Sequence, residues 1–187
     1  MSIRTITSVI LIGSFLAASQ AYAGDEQIRR VTFLDVKKPT VKQVDEALFP
    51  ADVIALKKEC REMEKAGFRC QSVVPKSSLD SVQVTFARGS AELTKDAKVF
   101  LKAVGESLKK NSDEWKSVSI EGHTDATGTD ATNQELSVRR AEAVKAYFAT
   151  NFALTKIETI GRGSEKLRDQ EDPTAEVNRR IEFVTNW

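Results

Sequence analysis

The sequence predicts an α+β fold: a mixed sheet traversed in the order β-α-β-α-β-β, with the helices packed on one face and a helical N-terminal extension in front. Three observations predict it. Short segments alternate apolar and polar residues with period two, at Val82-Gln83-Val84-Thr85-Phe86, Val118-Ser119-Ile120 and Ile181-Glu182-Phe183. Two longer segments carry apolar residues at helical spacing behind a threonine that can cap them. The two kinds of segment interleave over residues 81–187.

Met1 to Ala23 has the plan of a secretory signal, with Arg4 as the positive start, an apolar run from Val9 to Ala18, and Ala21-Tyr22-Ala23 as a small-x-small cleavage site. The apolar run is shorter than the ~20 residues of a spanning helix, and no Cys follows the cleavage site, so neither a membrane anchor nor a lipid anchor is expected. The mature protein is expected to be soluble and exported. Residues 24–39 read as an extended or partly disordered lead-in, apart from Val31-Thr32-Phe33-Leu34. Thr40 caps a short helix with Val41, Val44 and Leu48 on one face, and Pro50 interrupts it. A second helix runs from Ala51 to Ala66 and stops at Gly67. Cys60 and Cys70, the only two cysteines, suit an oxidising compartment, and a disulfide would pin the returning turn to this helix. With one His and no clustered ligands around the cysteines, no metal site is read, and no cofactor.

The domain proper is placed at 81–187, after an extension over 24–80. Its first strand is read at Val82, Val84 and Phe86, and a helix capped by Thr94 carries Ala97, Phe100, Leu101, Val104 and Leu108. Val118 and Ile120 mark the next strand. Thr132 and Glu135 form a capping box that opens the second helix. Ile157 to Ile160 and Ile181 to Phe183 complete the sheet. With 28 basic and 27 acidic residues the net charge is +1, and no basic stripe exists to serve as a nucleic-acid footprint.

One charge is out of place. On the second helix Leu136, Ala143, Val144 and Tyr147 share a face, and Arg140 falls at its centre while Arg139 points away. A buried cation needs a partner, and Asp125, which ends the strand-to-loop run Ile120-Glu121-Gly122-His123-Thr124-Asp125, is one candidate. An anionic ligand is another. His123 reads as a structural hydrogen-bonder and Glu121 as a solvated strand position. Asn133 sits beside the helix cap, where a structural role and a ligand contact are both open. Of Arg179 and Arg180, one is expected at the pocket and the other toward solvent or the sheet.

Phe86-Ala87-Arg88-Gly89-Ser90-Ala91-Glu92-Leu93, Ile120 to Gly128, Asn133, Leu136-Ser137-Val138-Arg139-Arg140-Ala141 and Asn178-Arg179-Arg180-Ile181-Glu182 follow one another in the order and spacing of a known pattern. Over about residues 81–187 the chain resembles the OmpA-like peptidoglycan-binding domain. The resemblance implies a non-catalytic domain that grips the diaminopimelate of the peptide stem through Asp125 and Arg140, with Thr127, Asn133 and Arg179 around the pocket, in the periplasm of a Gram-negative cell and in association with the outer membrane or wall. One position departs: many members have Asp just after the first-strand aromatic, where this chain has Ala87. An enzyme acting on the wall would need a nucleophile with a base, a metal or a tuned carboxylate pair, and the sequence offers none. A second alternative is a periplasmic adaptor with a vestigial pocket. In either binding reading residues 24–80 are the segment expected to dock an envelope protein partner.

Overall fold

A computed structural model describes residues 29–70, 74, 76–86 and 89–187. The expected signal peptide at 1–23 and Ala87 lie outside the described residues. The elements are β1 (Arg29–Phe33), α1 (Val41–Leu48), α2 (Ala51–Lys65), β2 (Lys76–Ser81), α3 (Lys95–Lys110), β3 (Ser117–Gly122), α4 (Asp130–Phe152), β4 (Ile157–Gly161), a 3-10 turn at Glu176–Asn178, and β5 (Ile181–Asn186). The five strands form one mixed sheet in the order β1-β2-β5-β3-β4. β5 is antiparallel to both neighbours, whereas β1–β2 and β3–β4 are parallel pairs.

The α+β class and the single helical layer are as the sequence predicts. Helix α3 packs against α1 and α4, α1 lies over β1, β2 and β5, and α4 lies over β3 and β4. Leu79, Phe183 and Ile120 stand opposite one another across β2, β5 and β3. They meet Val44, Leu48, Phe100, Leu101, Val104, Val144 and Phe148 in one core. Thr40 and Thr94 cap α1 and α3 as read, each side chain accepting a backbone N–H three residues on. Gly67 ends α2 at a φ of 84°, and the structure bonds Cys60 to Cys70, with Cα atoms 5.1 Å apart.

Three readings of the elements change. The first core strand is Lys76–Ser81, and Val82 to Val84 form the turn that follows it. Its sequence, Lys-Ser-Ser-Leu-Asp-Ser, carries little strand signal because Ser78 and Asp80 face a polar layer and only Leu79 reaches the apolar core. The lead-in contains a true strand, β1, so β1 and all of β2 but its last residue, which precede residue 81, are hydrogen-bonded into the same sheet as the strands after it. Helix α4 begins three residues earlier than read: Thr129 is its cap and accepts from the Thr132 N–H at 3.2 Å, while the Thr132 hydroxyl bonds Thr129.

The face of the sheet away from the helices is buried and charged. Asp80, Glu182 and Glu121 lie side by side across β2, β5 and β3, each at most 5% exposed. The segment 162–180 covers them. Arg180 Nε donates to Asp80 at 3.0 Å and its NH1 to the Lys166 carbonyl at 3.1 Å. Arg162 donates to both oxygens of Glu121, at 2.8 and 3.1 Å. Arg168 stacks over Phe33 at 4.2 Å. Glu121 is therefore a buried ion-pair partner and not a solvated strand position. Its burial is what the period-two reading missed, since alternation marks one face as polar without telling whether a loop seals it.

Candidate functional site

The loop after β3 and the first turns of α4 come together because two glycines let the helix sit directly on the sheet. A Cβ on Gly122 would lie 2.3 Å from the Ser137 backbone oxygen, and one on Gly161 would lie 2.5 Å from Val138 Cγ2. The Ser137 hydroxyl accepts from the Gly163 N–H at 3.0 Å. With Ser137 locked against β3, Arg140 is carried one turn further along the same buried stripe of Asn133, Ser137, Arg140, Ala141, Val144 and Phe148.

Asp125 is 6% exposed at the start of this loop. One carboxylate oxygen accepts from the Thr127 N–H at 3.0 Å and from the Thr127 hydroxyl. The other accepts from Arg179 NH1 at 2.8 Å. Burial alone would raise its pKa, but the hydrogen bonds from the Thr127 side chain, Arg179 and the Thr127 backbone outweigh it and hold the carboxyl below its usual range. The Asn133 amide donates to the carbonyls of Asp125 and Thr127, at 3.3 and 3.0 Å, and so fixes the loop's shape.

Arg140 is 4% exposed, and its guanidinium lies 5.0 Å from the centre of the Phe86 ring. Its Nε donates to the Ser90 carbonyl at 3.2 Å. Burial lowers its pKa, and Arg179 lowers it further while Asp125 raises it, so all three charges share one field. It remains a cation. Among the described residues no hydrogen-bond acceptor meets its two terminal NH2 groups, which form the fork that suits a carboxylate. The adjacent Arg139 is exposed and pairs with Glu135 on the surface at 3.7 Å.

The structure thus gathers Asp125, Thr127, Asn133, Arg140 and Arg179 in one place. Asp125 is bonded to Arg179, not to Arg140, and Arg179 also pairs with the exposed Glu176 at 3.4 Å. Arg180 faces the buried polar layer, where it pairs with Asp80. Sequence reading missed Ser90 and Phe86 as the seat of Arg140. A main-chain acceptor and a ring face leave no charge pattern for a sequence to show.

His123 stands next to the site on the polar layer. It is fully buried, and neither ring nitrogen has a hydrogen-bond partner among the described residues, so a hydrogen-bonding role is not what the structure gives it. Its Nε2 lies 3.7 Å from Glu182. Ligand atoms of Glu121, His123 and Glu182 lie within 4.8 Å of one another, which is close enough to hold a cation. Both Glu121 oxygens are already taken by Arg162, however, and a dication would have to displace that guanidinium. The cluster is an ion-pair layer. Among the described residues no helix is long and apolar enough to cross a membrane.

Comparison with known proteins covers the same region. The OmpA family matches residues 85–180, about half of the chain. Outer membrane porin F of Pseudomonas aeruginosa is 41% identical over 71 residues, 35% of this chain and 20% of the porin. The porin F of Pseudomonas fluorescens is 41% identical over 68 residues, 35% of this chain and 21% of that protein. The chain therefore spans about a fifth of the length of the curated relatives it matches. Among solved structures, the OmpA-like domain of FopA1 from Francisella tularensis aligns with a TM-score of 0.50 at 27% identity, covering 58% of this chain and 71% of that one. A MotB-like protein from Desulfovibrio vulgaris aligns at 0.51 and 23% identity over 72% of this chain and 93% of its own, a likeness of fold alone.

Proposed function

We propose, because the chain belongs to the OmpA family, that it binds peptidoglycan non-covalently through the diaminopimelate of the peptide stem and so tethers or braces the cell wall from the periplasm. The observation that carries this reading is the juxtaposition of Asp125, held as a carboxylate by Thr127 and Arg179, with Arg140, whose fork is open. The free end of diaminopimelate is an ammonium and a carboxylate on one carbon. A fixed anion and a fixed cation in a half-enclosed site match both poles, and the ligand offsets the cost of desolvating them. Thr127, Asn133 and Arg179 shape and charge the same pocket. A fixed carboxylate beside an open cationic fork is suited to holding a zwitterion, so binding is the role it supports best.

Crosslinking converts the ammonium to an amide, so uncrosslinked stems are the preferred ligand. Cosedimentation of the protein with purified sacculi tests the reading. Wild type should pellet, free diaminopimelate should compete, and Asp125→Ala and Arg140→Ala should each stay largely in the supernatant. Undiminished pelleting of both variants would overturn the site. A wild type that never pellets would favour the alternative, an adaptor that docks an envelope protein through residues 24–80.

A further inference from the structure

Next to the pocket lies a cavity of about 370 Å³ lined by Lys37, Val82, Gln83, Thr85, Asp96, Glu176 and Val177. Two of its lining residues adjoin the site. Glu176 pairs with Arg179 at 3.4 Å, and Arg179 in turn holds Asp125. Thr85 precedes Phe86, the ring beneath Arg140. Of its three charged lining side chains, Glu176 is paired with Arg179, whereas Lys37 and Asp96 are exposed and have no hydrogen-bond or ion-pair partner among the described residues. Gln83 is steadied by its bond to Asp35 at 2.5 Å, so the segment carrying Lys37 is tied to the turn after β2. Lys37 lies outside the stretch that matches the OmpA family, residues 85–180. The N-terminal segment therefore adds a cation to the edge of the site.

We infer that this cavity is a second subsite, which takes the part of the peptide stem adjoining diaminopimelate, with Lys37 receiving a stem carboxylate. The inference rests on the diaminopimelate reading above and deepens it. A diaminopimelate whose free end enters the Asp125–Arg140 pocket leaves by its other end, where its amine is in amide linkage to a glutamate joined through its side chain. That glutamate keeps a free α-carboxylate, and the linkage contributes an amide N–H and a carbonyl. A rim with one open ammonium, one open carboxylate and a glutamine amide offers a partner for each. An exposed charge pair of this kind is worth about a two- to fivefold change in affinity, which makes it a tuner of stem choice and not the main anchor.

Calorimetric titration of the full chain tests this with three probes: free meso-diaminopimelate, the tripeptide L-alanyl-γ-D-glutamyl-meso-diaminopimelate, and the same tripeptide with the glutamate α-carboxylate converted to a carboxamide. In wild type the acid tripeptide should bind about two- to fivefold tighter than the carboxamide. In Lys37→Gln the two should bind alike, Lys37→Arg should restore the preference, and free diaminopimelate should bind all three chains equally. An unchanged acid-over-carboxamide ratio in Lys37→Gln, or no preference in wild type, overturns the subsite while leaving the pocket standing. Failure of free diaminopimelate to bind wild type brings down the pocket reading and the subsite with it.

Discussion

Replacing Gly122 with Ala tests how the site is assembled without touching any residue that would contact a ligand. The added Cβ would lie 2.3 Å from the Ser137 backbone oxygen and 3.1 Å from its carbonyl carbon. Carbon–oxygen contacts settle at roughly 3.3 Å, so α4 would have to withdraw from β3 by about 1 Å. The obstacle is helix backbone, which no rotamer change can move. Gly161 seats the same turn of α4 on β4, where a Cβ would lie 2.6 Å from the Ser137 hydroxyl and 3.0 Å from the Val138 nitrogen, so the helix cannot tilt off one strand alone. Overpacking of this kind costs about 1–3 kcal/mol, and the upper end applies because the whole helix must shift. For a chain of this size about 3 kcal/mol lowers the Tm by roughly 6–12 °C. Arg140 would move with its helix, so diaminopimelate affinity should fall as well, although every contacting side chain is intact. Urea and thermal unfolding followed by circular dichroism, with the urea slope checked for constancy, measure the first effect, and calorimetry measures the second. A Gly122→Ala chain that unfolds within about 0.5 kcal/mol of wild type, the usual range of an uneventful surface change, would refute the close-seating account.

Asp80→Asn leaves Arg180 buried without its charge partner and should cost about 3–5 kcal/mol, whereas replacing both members with apolar residues of similar volume should cost far less; a double-mutant cycle by urea unfolding separates the two outcomes. Asp125 sits below the ordinary carboxylate range in the fold, so the stability it contributes is present above the unfolded value and is lost as pH falls through the folded one. The acid limb of the stability–pH profile should therefore be shallower in Asp125→Asn, and superimposable profiles would contradict that. Ala153 closes α4 in the left-handed region at a φ of 56°, so Ala153→Gly should stabilise by up to about 1 kcal/mol and raise the Tm by roughly 2–4 °C. Reducing the Cys60–Cys70 bond, or replacing both residues with Ser, should cost about 2–3 kcal/mol for so short a loop, measured as the difference between oxidised and reduced melts.

Much of the fold is readable along the chain because the helical layer reports itself. Thr40 and Thr94 announce their helices, the stripe of α3 is continuous, and Val118, Ile120, Ile181 and Phe183 alternate where one face meets that layer. The strands that fail to announce themselves are those whose burial is paid in charge. β2 has one apolar core residue, and its other buried face is satisfied by Arg180 and a covering segment one hundred positions away in the hydrogen-bond pairing. No local pattern can carry that information. The burial of Glu121 leaves no local pattern for the same reason. At the site, helical phase alone singles out Arg140 over Arg139, because a cation in an apolar stripe is a local anomaly. Phase cannot say which anion faces it, and the structure places Arg179 on Asp125 instead. That choice depends on how the segment before β5 folds back over the loop, with Ala126 donating to Pro173 and His123 to Arg180 along the main chain, contacts that join positions far apart in sequence.

The most direct test of the central claim is the affinity of the full chain for the tripeptide L-alanyl-γ-D-glutamyl-meso-diaminopimelate with the free-end amine of its diaminopimelate intact and with that amine acetylated, measured by calorimetry for wild type, Asp125→Asn and Arg140→Gln. The zwitterion pocket predicts that wild type binds the free form and loses at least about tenfold, or ~1.4 kcal/mol, on acetylation, and that each variant loses as much toward the free form. Equal binding of the free and acetylated forms, or variants that match wild type, would contradict it.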